Sequence, residues 1–146
     1  MTVFYCARCS RALTPDLAAL PAMPTPPNDP IRPNGQDVAP STVPRGRYAI
    51  ESEEDTVSMR RHGHDKALRH STGQNHAPVV IHPEDATSLE YLPGLANAVG
   101  CCGPDGTHGP NQACPCGTTL ATLTADCMGP YELRLDPLRV FALDDN

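Results

Sequence analysis

Apolar residues in this chain come in short runs cut by turn formers. Val3-Phe4-Tyr5 opens the sequence as a β-like run. Further on, Arg47–Ile50, Val79–His82, Thr118–Thr124, Tyr131–Leu135 and Arg139–Leu143 read as strands, most of them bounded by Pro, Gly or Asp. Pro83, with Glu84 and Asp85 in the first turn behind it, predicts one short helix. Between the first run and the rest lies a different texture. Nine prolines fall between Pro15 and Pro44. The pattern divides the chain into residues 1–14, a Pro-rich extended arm over 15–46, and a β-rich part over 47–146 that shares the cysteines with 1–14.

Within the arm, Pro21, Pro24, Pro27, Pro30 and Pro33 recur at every third residue. Polyproline II has three residues per turn, so these rings line up as one stripe. Such a stripe fits a proline-binding groove. It also fits an extended spacer or an arm laid on the protein's own surface, and stiff linkers share this composition.

Composition changes the picture by removing the ordinary source of stability. Leu, Ile, Val and Phe supply 26 of 146 residues, and Trp is absent. Burial contributes roughly 25 cal/mol per Å², against roughly 1–2 kcal/mol of backbone entropy per residue. A chain this poor in large apolar side chains needs another stabiliser. No apolar run approaches the roughly 18 residues that a membrane span requires, and a long coiled coil is excluded as well.

Charge narrows the partners. The formal net charge is −6, from 17 acidic and 11 basic residues. Phosphate neutralisation drives nucleic-acid affinity, so this balance argues against nucleic acid as a partner. The local exception is the basic stretch with Arg60, Arg61, Lys66 and Arg69, which follows the acidic run Glu51–Asp55 and reads as a self-neutralising loop. The first residues lack a basic segment followed by an apolar one, so no signal peptide is expected and the cytoplasm is the expected location.

The seven cysteines are the strongest chemical signal. They form four groups: Cys6-Ala7-Arg8-Cys9, Cys101-Cys102, Cys114-Pro115-Cys116 and Cys127. An odd count, in a reducing compartment, argues for metal ligands or reactive thiols over a disulfide framework. A Cys-x-x-Cys turn brings two thiolates to one side of a metal, and two such turns complete a tetrahedral set of four. Ser10 follows the first pair, where Gly is common. Gly117 follows the second and can supply the positive φ such a turn needs.

With these residues on the page, the chain resembles a zinc ribbon, with Cys6 and Cys9 as its first knuckle and Cys114 and Cys116 as its second. It departs from that pattern in two ways. The second knuckle is Cys-x-Cys, and about 100 residues separate the knuckles. Over residues 1–15 and 78–137 the sequence also resembles small uncharacterised bacterial Cys-rich proteins, which implies no activity. Cys101, Cys102 and Cys127 remain. They are alternative ligands for the first site, ligands of a second site with His108, or buried or reactive thiols. One zinc ion is expected, with room for two. Iron–sulfur clusters also take four thiolates, and the ribbon resemblance tips the choice to zinc.

Catalysis has weaker support. His62, His64, His70, His76 and His82 fall in one window, and His62-x-His64 with Asp65 or Glu84 would suit an open metal site. The window carries Gly63, Gly73 and Pro78 and reads as a polar loop. His82 ends an apolar run beside Glu84 and Asp85, which suits either acid–base work or capping of the following helix. No nucleotide-binding glycine motif is present. The sequence thus predicts a small β-rich domain (α+β at most), zinc-stabilised and zinc-ribbon-like, with a long irregular Pro-rich arm. The expected role is a structural or protein-interaction module. The alternative is a zinc- or thiol-dependent enzyme using the His62–His82 window or Cys101, Cys102 and Cys127.

Overall fold

The computed structural model describes residues 1–24, 41–51, 77–101, 103–126 and 130–144. Among these residues nine strands follow one another: β1 (Thr2–Cys6), β2 (Ala18–Ala19), β3 (Arg47–Ile50), β4 (Val79–Ile81), β5 (Glu90–Tyr91), β6 (Gln112–Ala113), β7 (Thr119–Thr124), β8 (Glu132–Leu135) and β9 (Val140–Asp144). β1 and β9 form an antiparallel pair. The other seven make one sheet in the order β2-β3-β4-β8-β7-β6-β5. Only β2 and β3 run parallel among its neighbours. Among the described residues, helix is confined to two short 3₁₀ turns, Pro83–Asp85 and Pro93–Leu95. The fold is therefore small and β-rich, with the apolar runs forming its longer strands.

The core lies between the two sheets. Along β1 the alternation is strict: Thr2, Phe4 and Cys6 point inward and Val3 and Tyr5 outward. Phe4 and Cys6 meet Leu13, Leu17, Val79, Ile81, Leu120, Leu133 and Leu135. Phe4 also stands edge-on to Tyr48, with ring centroids 5.1 Å apart. The core thus concentrates the few large side chains the chain has.

β4 is buried along its whole length, which explains its unbroken Val-Val-Ile sequence. Val79 and Ile81 join the main core, while Val80 faces the other way onto Val43 and Ala49. Leu20 and Met23 complete this second cluster. Both ends of the Pro-rich segment are therefore built into the fold. Leu17 and Val43 are fully buried, and Ala18–Ala19 pairs with β3. Pro27, Pro30 and Pro33 of the stripe lie outside the described residues. The segment 41–51 is also fixed by charge. Arg134 on β8 contacts Glu51 at 3.1 Å and Glu132 at 3.0 Å, and Thr42 donates to Glu132. Removing one partner from so buried a group would strand the other.

The 3₁₀ turn at Pro83 begins where Pro and two acids mark it. His82 occupies the cap, and its Nδ1 accepts the Glu84 N–H at 3.0 Å. Asp85 is buried and accepts from Arg45 Nε at 2.6 Å and from the Gly46 N–H at 2.8 Å. No helix among the described residues is long and apolar enough to cross a membrane.

Candidate metal centre

Two hairpin-like turns meet at one end of the core. The first follows β1, whose last residue is Cys6, and the chain then returns so that Ala12 bridges Tyr5. The second joins β6 to β7, with Ala113 opposite Thr119. Asn111 fixes the approach to it. Its fully buried side chain accepts the Leu123 N–H at 2.8 Å and donates to the Leu123 carbonyl at 3.0 Å, spanning the irregular register at β6.

The two turns share one hydrogen-bond frame despite their different lengths. In the first, the Ser10 N–H donates to the Cys6 carbonyl at 2.8 Å and the Cys6 N–H to the Arg11 carbonyl at 2.9 Å. In the second, the Gly117 N–H donates to the Cys114 carbonyl at 2.8 Å and the Cys114 N–H to the Thr118 carbonyl at 2.9 Å. In each case the residue after the second cysteine closes the turn and takes a positive φ: Ser10 at 61° and Gly117 at 99°. Gly supplies that conformation freely, whereas Ser adopts it against steric preference.

This frame brings four sulfurs together. The Sγ atoms of Cys6, Cys9, Cys114 and Cys116 all lie within 4.8 Å of one another. The pairs across the turns are 3.7 Å for Cys6–Cys116 and 3.5 Å for Cys9–Cys114. Tetrahedral zinc with Zn–S bonds of about 2.3 Å spaces its sulfurs about 3.8 Å apart. The donor set and its spacing therefore fit a four-thiolate metal centre, and these four residues would hold the ion.

The site has an inner and an outer half. Cys6 and Cys114 are buried and belong to the apolar core, while Cys9 and Cys116 face solvent. Burial pushes the Cys114 thiol up to about 12. The Thr118 hydroxyl, 3.3 Å from Cys116 Sγ, and the Thr118 backbone hold the Cys116 thiol down to about 6. Thr118 thus favours the thiolate that a metal requires, and Cys114 would give up its proton only to a cation. Four thiolates around a divalent ion carry a net charge of −2. Arg11 lines the shallow groove beside Cys9 and Cys116, and Arg8 and Arg139 line a second groove of about 420 Å³ between the turns.

The remaining sequence candidates are placed differently. Cys101 is exposed and lies outside the four-sulfur group. His108 is half-exposed, with its Nε2 3.8 Å from Asp105, and is also outside it. Cys102, Cys127, His62, His64, Asp65, His70 and His76 fall outside the described residues, as do Arg60, Arg61, Lys66 and Arg69. His82 caps the 3₁₀ turn and packs edge-on against Tyr131 at 5.5 Å. Burial lowers its pKa. Sequence reasoning overlooked Thr118 and Asn111. Thr118 carried a local signal, a hydroxyl two residues after Cys116, whereas Asn111 carried none. Comparison with protein-family models, curated proteins and solved structures finds no match.

Proposed function

We propose that this chain is a zinc-binding, ribbon-like structural protein whose role is to present a surface to another protein. The observation that carries this reading is the convergence of four Sγ atoms within 4.8 Å. Structural zinc sites use four protein ligands, whereas catalytic sites keep one position open for water or substrate. Cys6, Cys9, Cys114 and Cys116 would fill all four positions. Zinc bound there would supply cross-linking and charge neutralisation rather than a Lewis-acid site.

The inner thiols tie the ion to folding. Cys6 and Cys114 belong to the same cluster as Phe4, Leu120 and Leu135. An empty centre leaves two groups buried in a small core that gains its stability from few large side chains. Metal binding then contributes directly to the folding free energy. The test is metal analysis of the purified protein, followed by chelation. One zinc per chain, with loss of the strand signal in circular dichroism on chelation, is the expected result. A chain that keeps its full signal and melting temperature without metal would refute the proposal.

A further inference from the structure

The edge of β9 is self-complementary, and we infer that it pairs antiparallel with β9 of a second copy of this chain. Among the described residues, β9 pairs only with β1. Which of its backbone groups face outward follows from the bonds that β1 makes elsewhere. The Thr2 N–H and carbonyl bond to Leu17, the Leu13 N–H donates to the Phe4 carbonyl, and the Cys6 N–H donates to Arg11. Thr2, Phe4 and Cys6 therefore turn their backbone groups away from β9. Their register partners are Asp144, Ala142 and Val140. In an antiparallel ladder such opposite residues are the non-hydrogen-bonded pairs. The N–H and C=O groups of Val140, Ala142 and Asp144 thus point to the edge of β9 that no described strand pairs with.

One antiparallel register uses all three. With the two-fold axis at Ala142, each Ala142 faces its counterpart and each Val140 faces Asp144 of the other copy. Every one of these is a pair that exchanges two N–H···O=C bonds. The same register orders the side chains on the solvent face. Leu143 is 54% exposed and sits beside Val3, while Phe141 is 36% exposed and stacks on Tyr5 at 5.3 Å. Pairing sets Leu143 against Phe141 of the other copy, so an apolar row runs unbroken across four strands. Cross-strand apolar pairs of this kind are what stabilise sheets.

Charge supports the antiparallel sense. Arg139 stands just before β9 and Asp144 at its end. Antiparallel pairing brings opposite charges to each end of the joint, whereas parallel pairing would bring like charges together. The strand Val140–Asp144 carries none of the Lys or Pro that proteins place on edges to prevent pairing, and its one charge, Asp144, sits at its end.

This names a partner for the interaction role proposed above, but it stands on the geometry of β9 and not on the ion. Metal content reports on that reading and molecular mass on this one, so either can fail alone. The measurement is light scattering on the full, metal-loaded chain at about 100 μM, where a micromolar contact is well populated. A mass of twice 15.6 kDa is expected. Ala142→Pro removes an outward N–H that bonds to no other described residue, a position where an edge strand accepts Pro. It should raise the dissociation constant at least tenfold with metal content unchanged. Leu143→Lys alters only an exposed side chain and should act in the same direction, which decides the matter should Ala142→Pro fail to fold. A wild-type mass of 15.6 kDa, or a dimer insensitive to both substitutions, overturns the inference.

Discussion

The two cysteine turns differ by one residue, yet they deliver their sulfurs alike. The first spaces its cysteines with Ala7-Arg8 and the second with Pro115 alone. What they share is a pair of hydrogen bonds of matching length and a positive φ after the second cysteine. The lesson is that backbone closure sets sulfur position, and cysteine spacing is only its usual correlate. The difference lies in how each turn pays its conformational cost. Gly117 takes φ 99° with no strain, whereas Ser10 holds φ 61° with a side chain attached.

The largest test removes the ligands. Cys6→Ser or Cys114→Ser strips one thiolate and places a hydroxyl in the core. Structural zinc contributes on the order of 10 kcal/mol or more to folding. Either substitution should leave the chain unfolded by circular dichroism, with metal lost on dialysis. Cys9→Ser and Cys116→Ser act on the solvent side and should leave more residual structure. Equal damage at all four positions would remove the distinction between inner and outer halves.

Two smaller changes probe the closures. Gly117→Ala meets no atom within 4 Å, so its effect is backbone strain alone, about 1–2 kcal/mol of stability. Ser10→Gly should act in the opposite sense, stabilising by up to about 1 kcal/mol as the strain is relieved and partly offset by chain entropy. Denaturant melts of the metal-loaded variants measure both. Thr118→Val deletes the hydroxyl beside Cys116. Loss of such a supporting contact weakens metal affinity by about 10–100-fold, read by competition with a coloured chelator.

The smallest effect concerns pH and separates the metal end of the core from the other. Burial lowers the His82 pKa, so the unfolded chain binds the proton more readily than the folded one. Its contribution is present above the ordinary His value near 6.5 and is lost as pH falls from there through the lowered value of the folded chain. Protonation would also remove the Nδ1 acceptor of the Glu84 N–H. His82→Asn keeps a cap without a titrating ring. It should flatten the fall in melting temperature between pH 7 and 5 while leaving acid release of metal from the thiolates unchanged.

Much of the centre could be read from the sequence because its signals are local. Paired cysteines, and the need for Gly at 117, follow from residues a few positions apart. The longer strands were legible through their apolar runs. The two-residue strands Ala18–Ala19, Glu90–Tyr91 and Gln112–Ala113 were not, because nothing in two residues shows a period. Leu17 and Val43 sit in a stretch whose prolines suggest an exposed arm; Leu17 is buried in the main core with Phe4 and Ile81, and Val43 against Val80 on the second face of β4. Asn111 acts by matching the backbone of Leu123, a contact with no counterpart in composition.

The separation of the two turns has a consequence in time. Cys9 and Cys114 are 105 residues apart. A chain made at about 5–20 residues per second exposes the first pair of thiols for roughly 5–20 s before the second pair exists. Through that interval the first turn offers half a coordination shell and β1 has no β9 to pair with. The four-sulfur group therefore cannot form until β6 and the turn after it have been made, and β1 waits longer still for β9.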